Sequence, residues 1–441
     1  MNLLSKYFYK KYDLIDRNVA TCRSRLSDAE QMSSDELYAL NWKRRVELVN
    51  FCSQRIPFYI RKFDEIGFSS GDLKSEVDFQ NLPVLEKDEI RECADEIVCP
   101  DFSLNNLKAS STGGTTGLPL TTYSDPRVHL SSMSWRMLNW WGVDASDNSA
   151  YLYRVIPTGL RKMASDVVLF PTRRIYISAA DMTVENMDAF YQRLKKTKPK
   201  YLVGYVGAIE EFANYMMRHG CELPSLTAIW TTSAPLPECK RVLYEKAFKC
   251  PVYTQYGSGE FYWIAAECKN QCGLHVASDV RHVEVVEGDQ PVNGEGFGDL
   301  LVTDLLNYAF PLLRYRLGDR GRMLPEKCEC GLPFPMMDYV KGRISDSIKF
   351  PDETSIPGEY WTTIFDDFTD VVRAFQVYQA SDYSIEIRYE VYDGVDCCNA
   401  ISVVEQGIGG KLRGRARLTF KNCEISSNDF GKLKFVISDV C

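Results

Sequence analysis

The sequence of 441 residues predicts an α/β protein with two domains, and three observations carry that prediction. Residues 199–257 alternate short apolar strands with amphipathic helices, the βαβαβ pattern of a parallel sheet. After Glu260 this alternation stops, and strand pairs around Gly/Pro/Asn turns predict a β-rich part. The last hundred or so residues mix strand-like runs with one helical stretch, which predicts a small α+β domain. The predicted domains are therefore 1–342 and 343–441.

The parallel part is predicted from three strands and two helices. The strands are KYLVGYV, LTAIWTT and PVYTQYG, and the helices are AIEEFANYMMRHG and PLPECKRVLYEKAF. In parallel sheets, ligands bind beyond the carboxyl ends of the strands. We therefore expect the segments 204–206, 232–235 and 256–260 to converge on one site.

The remaining elements follow from local patterns. Most of the first hundred residues favour helices, and Ser33 to Glu36 spell a capping box before LYALNWKRRVELVNFC. HVEVVEGDQPVNGEGFGDLLVTDL predicts two strands around a turn, followed by PLLRYRLGDRGRML. The C-terminal strands are predicted at AFQVYQA, SIEIRYEV, RARLTF and KFVIS, with a helix around residues 395–408.

Composition excludes several classes of protein. A formal charge of −8 and a pI near 5.3 argue against a nucleic-acid surface. No run approaches the roughly 18 apolar residues of a membrane span, and the N-terminus has no signal-peptide pattern. Fifteen irregularly spaced cysteines favour reduced thiols over a disulfide scaffold. We expect a cytoplasmic protein that binds no nucleic acid and has no membrane span.

The stretch SSTGGTTGLPL, from Ser110 to Leu120, concentrates hydroxyl side chains and glycines. Hydroxyls donate hydrogen bonds, and glycine lets backbone N–H groups approach an anion closely. This composition favours a phosphate-binding loop, although GxxxxGK[ST] occurs nowhere in the chain. The alternative is a flexible surface loop.

A second group of residues has the chemistry of a zinc site. CKNQCGLH and CEC supply Cys268, Cys272, His275, Cys328 and Cys330. Thiolates and imidazole are the ligands that zinc prefers, and a closed set of four is typical of a structural site. The alternative is a group of reduced cysteines brought together by chance.

Several of these segments, in this order, resemble the adenylate-forming ligases, specifically the phenylacetate-CoA ligase and CapK-like branch. The resemblance spans nearly the whole chain, and its segments are SSTGGTTGLP, YGSGE, PLLRYRLGDRG and KGRISDSIKF, preceded by RIPFYIRKFDEIGF and LPVLEKDEI. It implies a large N-terminal adenylation domain and a small mobile C-terminal domain.

The resemblance also implies an activity. A small-molecule carboxylic acid would react with ATP to give acyl-AMP and pyrophosphate, and the acyl group would pass to the thiol of CoA or to an amine. Relatives near CapK are associated with surface polysaccharide synthesis. A homodimer is compatible with this family. The rival hypothesis is a nucleotide-binding or interaction protein that keeps the fold without catalysis.

Site residues are implied by the same matched segments. The phosphate loop would hold the β- and γ-phosphates through Ser111, Thr112, Gly113, Gly114, Thr115 and Thr116. In YGSGE, Tyr256, Gly257 and Ser258 would lie at the nucleotide, and Glu260 would be a catalytic residue that ligates Mg²⁺. The adenine ring would meet Ser233, Ala234 and Pro235, and the ribose would bind Asp319 and Arg343. The alternatives are a tight turn with a helix-capping glutamate at Glu260 and salt-bridged turns at Asp319 and Arg343.

The family's catalytic lysine follows a Gly near the C-terminus, and two segments compete for that role. We predict Lys432 of FGKLKFVIS because RARLTF precedes it, with Lys434 as its fallback and Lys411 of GGKLRG as its competitor. The alternative is a solvated surface lysine. The family's pattern implies Cys268, His275, Cys328 and Cys330 as zinc ligands, which leaves Cys272 spare.

Three positions depart from the family's pattern. Leu118 stands where many relatives carry lysine, Gly259 replaces a Ser or Thr, and Ser345 replaces the first hinge aspartate. These departures are the reason for the rival hypothesis.

Overall fold

A computed structural model gives the structure of most of the chain. The described residues are 3–112, 120–129, 131–233, 236, 238–292, 294, 296–340, 348–352, 354–356, 358–361, 364–368, 371–392, 394–425 and 436–440. They fall into two compact units. The first comprises the described parts of 1–112, 120–145 and 253–342, and the second those of 146–252 and 343–441.

The helices are α1 (Leu3–Ile15), α2 (Arg17–Glu30), α3 (Ser34–Arg55), α4 (Pro57–Glu65), α5 (Glu76–Gln80), α6 (Lys87–Ile97), α7 (Ser131–Trp140), α8 (Gly159–Leu169), α9 (Val184–Thr197), α10 (Val206–Arg218), α11 (Glu238–Phe248), α12 (Gly358–Trp361) and α13 (Cys398–Leu412). Short 3₁₀ turns cover Leu104–Asn106 and Asp366–Phe368.

The strands are β1 (Lys108–Thr112), β2 (Leu120–Ser124), β3 (Ser149–Tyr153), β4 (Arg174–Ser178), β5 (Tyr201–Tyr205), β6 (Ala228–Thr232), β7 (Val252–Tyr256), β8 (Ala265–Ala266), β9 (Leu274–Val276), β10 (Arg281–Glu287), β11 (Gln290–Pro291), β12 (Gly298–Asp304), β13 (Tyr315–Gly321), β14 (Met323–Leu324), β15 (Met336–Met337), β16 (Ile348–Lys349), β17 (Ser355–Ile356), β18 (Val372–Gln379), β19 (Ile385–Val391), β20 (Leu418–Asn422) and β21 (Val436–Ser438).

The helical start of the first unit follows its capping signals. The predicted box at Ser33 and Glu36 is present at the start of α3, with reciprocal side-chain and backbone hydrogen bonds. Pro57 opens α4, because proline fits the first helical position, where its missing N–H costs nothing. The prediction of a mostly helical N-terminal region is confirmed.

The β-rich part of the first unit contains two groups of strands. β10 pairs antiparallel with β11 and β12, and β12 pairs antiparallel with β13. β9 lies between β8 and β15, and both pairings are antiparallel. The predicted strand pair around the Gly/Pro/Asn turn is confirmed as β10 and β12.

The second unit contains the predicted parallel sheet. β3 pairs parallel with β4 and β5, and β5 pairs parallel with β6, so the ends of β5 and β6 are adjacent at Tyr205 and Thr232. Sequence analysis missed β3 and β4. α9 and α10 bury apolar side chains such as Phe190 and Phe212 in the core beside these strands.

The C-terminal part of the second unit has a hydrophobic cluster of its own. β18 and β19 are antiparallel, while β20 runs parallel to β19 and β21 parallel to β18. α13 packs on them through Val404, Ile408 and Leu412. The predicted strands and helix of this α+β part are confirmed. Among the helices in the described residues, none is long and apolar enough to cross a membrane.

Candidate functional site

The segment YGSGE begins with the last residue of β7 and continues as a tight turn. The carbonyl oxygen of Ser258 accepts a hydrogen bond of 2.7 Å from the amide of Tyr262. A Cβ on Gly257 would lie 1.8 Å from the carbonyl oxygen of Tyr262, so only glycine fits. No helix follows Glu260 in this described stretch, and the alternative of a helix-capping glutamate is therefore wrong.

Tyr256 and Asp319 meet in the first unit. The hydroxyl of Tyr256, the last residue of β7, donates a hydrogen bond of 3.0 Å to Oδ2 of Asp319 in β13. Two residues predicted to contact the same nucleoside, one at adenine and one at ribose, are therefore in direct contact.

The carboxylate of Glu260 has a partner that sequence analysis missed. The hydroxyl of Tyr315 donates a hydrogen bond of 3.1 Å to Oε1 of Glu260. Tyr315 is buried, begins β13 and packs its ring 5.8 Å from that of Phe261. The available signal was its place inside RYRLGDRG, four residues before Asp319. β13 carries Asp319 and, through the hydrogen bond from Tyr315, holds the carboxylate of Glu260. One strand therefore positions both acidic side chains of the candidate site.

Ser233 lies at the carboxyl end of β6 in a left-handed conformation, with φ of +73°. Non-glycine residues rarely adopt this conformation, and such strain is concentrated at functional sites. Its predicted companions Ala234 and Pro235 lie outside the described residues.

The phosphate loop is described only at its flanks. Ser111 and Thr112 end β1, which pairs antiparallel with β2, and Ser111 Oγ lies 2.9 Å from Thr121 Oγ1. The other loop residues predicted to bind phosphate, Gly113, Gly114, Thr115 and Thr116, lie outside the described residues, as do Arg343, Lys432 and Lys434.

Lys411, the competing lysine, lies in the last turn of α13 in the second unit. Its ammonium donates a hydrogen bond of 3.3 Å to the carbonyl oxygen of Ala179. Burial lowers the pKa of Lys411 to about 8, partly offset by the charges of Glu211 and Asp181. Burial also raises the pKa of Glu211 to about 7, partly offset by Lys411 and Arg415. Lys411 therefore has neighbours unlike those of a solvated surface lysine.

Four of the five candidate metal ligands come together in the first unit. The ligand atoms of Cys268, His275, Cys328 and Cys330 all lie within 4.8 Å of one another. The sulfurs of Cys268 and Cys328 are 3.6 Å apart, and Cys330 Sγ lies 3.3 Å from Nε2 of His275. These are the four residues that the resemblance implies.

Local structure explains why the cluster forms. His275 lies in β9, opposite Ala266 of β8, and Cys268 follows two residues after that strand. Cys328 and Cys330 lie in the connection from β14 to β15, and β15 pairs with β9 at His275. Three short strands therefore bring both halves of the cluster together.

Backbone groups orient the ligands. The amides of Asn270, Cys330 and Leu332 donate hydrogen bonds to the sulfurs of Cys268, Cys328 and Cys330, respectively. Nδ1 of His275 lies 3.3 Å from the carbonyl oxygen of Phe334, so an N–H there would leave Nε2 free to face the sulfurs. Burial opposes ionisation of Cys328, but hydrogen bonds from Cys330 N–H and neighbouring thiols lower the pKa of its thiol. Thiolate is the form that binds metal.

Cys272 stands outside this set of four. Its sulfur lies 3.2 Å from that of Cys328, and its side chain is exposed. Burial, followed by the contact with Cys328, raises the pKa of the Cys272 thiol to about 11.

Comparisons with known proteins agree with this architecture. The chain is 28% identical to Protein CapK of Staphylococcus aureus over 294 residues, covering 65% of this chain and 63% of CapK, less than two thirds of that relative's length. It is 25% identical to a phenylacetate-coenzyme A ligase of Thermus thermophilus over 337 residues, covering 73% of each chain. None of the protein-family models compared with the sequence matches it.

The fold has a solved counterpart. A 2-hydroxyisobutyryl-CoA ligase, solved with 2-HIB-AMP and CoA in its thioesterification state, superimposes with a TM-score of 0.64 at 18% identity. The match covers 93% of this chain and 91% of that one. The chain therefore shares the fold of this acyl-CoA ligase. In sequence it is similar to CapK and to the phenylacetate-CoA ligases.

Proposed function

We propose that this chain is an ATP-dependent ligase that activates a small carboxylic acid as its acyl adenylate. The acyl group then passes to CoA or to an amine acceptor. The observation that carries the proposal is the arrangement at the ends of β7 and β13, where Tyr256 contacts Asp319 and Tyr315 contacts Glu260. These are residues of two separate family segments, and they meet in one place.

The described residues suit the nucleoside half of ATP. The ring of Tyr256 can pack against adenine, and the Asp319 carboxylate can accept hydrogen bonds from two ribose hydroxyls. Its present bond to the Tyr256 hydroxyl holds that carboxylate in a defined position. Ser111 and Thr112 lead into the phosphate loop, whose backbone and hydroxyl groups would hold the pyrophosphate as it leaves.

The reaction needs little acid–base chemistry from the protein. A carboxylate is already ionised near pH 7 and attacks the α-phosphorus, and the bond from that phosphorus to the bridging oxygen of pyrophosphate breaks. The chain's task is to position both groups and to stabilise charge. Lys432 is proposed to supply a positive charge at the α-phosphate.

Mg²⁺ is proposed to bind at Glu260, where it would offset phosphate charge. The fit rests on an oxygen ligand whose direction is set by the Tyr315 hydroxyl. Tyr315 therefore acts on Glu260 by orienting its carboxylate.

Zn²⁺ is proposed to bind at Cys268, His275, Cys328 and Cys330. The donor set of three thiols and one imidazole, with N–H donors already directed at the sulfurs, fits zinc. All four positions are filled by the protein, so the site would be structural and would tie the connection between β14 and β15 to β9.

Other parts of the proposal concern organisation. Residues 343–441, whose described members have their own hydrophobic cluster, are proposed to form a separate mobile domain. A cytoplasmic location, a homodimer and a role in surface polysaccharide synthesis are proposed from the resemblance to the CapK branch.

Exchange of labelled pyrophosphate into ATP tests the activity. Exchange that depends on an added carboxylic acid, within a broad panel of aliphatic and aromatic acids, is the expected result. Adding CoA or amines to the active acid then identifies the acceptor through release of AMP.

A catalytically inactive nucleotide-binding protein is the second candidate. The departures at Leu118, Gly259 and Ser345 favour it, because each removes a polar or charged group that relatives carry. ATP binding without exchange for any acid of the panel would support this candidate over the first.

A further inference from the structure

Cys272 is the one cysteine of the segments CKNQCGLH and CEC that the proposed zinc site does not use. Its sulfur lies 3.2 Å from that of Cys328, a proposed ligand, and its side chain is exposed. Both residues line a cavity of about 500 Å³ between the residues before β9 and the connection from β14 to β15. The exposed residues Glu326 and Lys327 line the same cavity. A small solute can therefore reach this pair of thiols from solvent.

The backbone holds Cys272 beside the cluster. On one side, the amide of Gln271 donates a hydrogen bond of 3.1 Å to the carbonyl oxygen of Cys268. On the other side, Gly273 has a φ of +135°, and a Cβ there would lie 3.0 Å from the carbonyl oxygen of Met337. Because both neighbours of Cys272 are fixed in this way, its sulfur is kept close to the proposed ligands.

Distance and exposure favour Cys272 over Cys268 as the partner of Cys328 in a disulfide. The sulfurs of a disulfide are about 2.05 Å apart, so Cys272 and Cys328 need only a small approach from 3.2 Å. The sulfur of Cys268 lies farther from that of Cys328, at 3.6 Å, and Cys268 is 1% exposed. An accessible thiol beside a second thiol is the usual arrangement of a redox-sensitive cysteine pair.

We propose that Cys272 and Cys328 form an oxidation site that releases the metal of the proposed zinc site, on which this inference rests. As a metal ligand, Cys328 is a thiolate, the nucleophilic form of sulfur. It attacks one oxygen of hydrogen peroxide, the O–O bond breaks, hydroxide leaves, and Cys328 becomes a sulfenic acid. The sulfur of Cys272 then attacks the sulfur of Cys328, and the S–O bond breaks. The departing hydroxide takes the proton of the Cys272 thiol and leaves as water.

This reaction removes one of the four proposed ligands. The two sulfurs together lose the two electrons that peroxide gains, and the new disulfide holds Cys328 away from the metal. Cys268, His275 and Cys330 remain, and an incomplete set of ligands binds zinc more weakly than the closed set of four. A dithiol reductant reverses the step by thiol–disulfide exchange, so that the site can bind zinc again.

Zinc release and peptide mass spectrometry test the proposal on the whole chain. Zinc content is measured first, and hydrogen peroxide is then added together with a chromogenic chelator that reports the released metal. Trypsin places Cys272 in the peptide 270–281, and Cys328 with Cys330 in the peptide 328–341. The expected product is a cross-link between these peptides, with fragment ions that assign it to Cys272 and Cys328. It should form as zinc is released, and dithiothreitol with added zinc should reverse both changes.

Two variants sharpen the test. Cys272→Ser should retain zinc without oxidant. With peroxide it should lose the cross-linked peptide, and Cys328 should proceed to the sulfinic acid, so that dithiothreitol no longer restores zinc binding. Cys398→Ser is the control, because it removes an exposed thiol of α13 outside the cluster. It should form the cross-link and release zinc as the unmodified protein does.

Several results would overturn the proposal. A cross-link from Cys328 to Cys268 or Cys330 would assign the oxidation to other thiols. Reversible zinc release from Cys272→Ser, at the rate of the unmodified protein, would remove Cys272 from the reaction. Bound zinc that persists under peroxide without a cross-link would contradict the oxidation step alone. A chain that holds no zinc before oxidant is added would instead contradict the proposed zinc site and, with it, the release of metal.

Discussion

The proposed metal cluster and the proposed nucleotide site of this chain differ in how they are built. The cluster joins two short segments through three adjacent short strands, and all four proposed ligands lie within 4.8 Å of one another. The proposed nucleotide site would draw on segments from residue 111 to residue 432, and the described residues supply only part of it. A single measurement, the metal content, tests all four residues of the cluster together. The dispersed site has to be tested by separate substitutions of its residues.

The largest effect should come from breaking the cluster. Cys328→Ser removes a proposed ligand whose sulfur lies near those of Cys268 and Cys272, and loss of a structural metal costs more than about 4 kcal/mol in stability. We expect zinc content to fall from about one per chain to nearly none, with a clear drop in the melting temperature. Elemental analysis and calorimetry measure both.

Cys272→Ser is the matched control for the cluster. It removes a neighbouring thiol that lies outside the set of four, so zinc content should persist. A zinc loss equal to that of Cys328→Ser would instead assign Cys272 a place among the ligands.

The next largest effect should come from the dispersed site. Lys432→Ala should slow acyl-adenylate formation on the order of a hundredfold, the scale of a lost electrostatic stabiliser. Acyl transfer from a supplied adenylate should be nearly unchanged. Single-turnover assays of the two half-reactions measure these rates, and Lys411→Ala is the control. The opposite pattern would make Lys411 the catalytic lysine.

Asp319→Asn should have a smaller effect on the same site. It leaves the shape but removes the charge that would accept the ribose hydroxyls, so KM for ATP should rise about ten- to hundredfold. Tyr256→Phe removes only the hydroxyl that bonds Asp319 and keeps the ring, so its KM should rise much less. Equal effects of both variants would mean that the hydroxyl, not the carboxylate, contacts the nucleotide.

The smallest effect concerns an electrostatic interaction between distant segments, that of Glu211 with Lys411. Because the folded-state pKa of Glu211 is raised to about 7, the folded protein holds a proton that the unfolded chain has lost near pH 5 to 7. Stability from this group is therefore present at low pH and is lost as the pH rises through 7.

The ammonium of Lys411 changes the stability with pH in the opposite direction and at higher pH. Its folded-state pKa is lowered to about 8, so stability rises with pH above that value. Between pH 5.5 and 7.5 the Glu211 effect dominates, and we expect a loss of about 1 to 2 kcal/mol that Glu211→Gln removes. Urea unfolding at the two pH values measures it. If Glu211→Gln lost the same free energy of unfolding between these pH values, other titrating groups would be responsible.

The sequence predicted the fold wherever a pattern was periodic or capped. The strand–helix alternation of 199–257, the capping box at Ser33 and the paired strands β10 and β12 were all predictable for that reason. β3 and β4 were missed although each is a short strand of the same parallel sheet.

The candidate sites were predictable from residue type and order, but not their supporting contacts. The hydrogen bond from Tyr315 to Glu260 joins residues 55 positions apart, and no local rule indicates it. The hydrogen bond from Lys411 to Ala179 spans 232 positions and depends on how α13 packs. Such pairs follow from tertiary structure, and no sequence pattern indicates them.

The connection between β14 and β15 takes part in two structures at once. It carries Cys328 and Cys330, and its residues 332–336 form a wall of a cavity of about 360 Å³ beside α3. Metal bound by Cys328 and Cys330 would therefore also hold the wall that 332–336 give to the cavity. The shape of the cavity would then depend on the metal content of the protein, although no lining residue other than Cys328 is a proposed ligand.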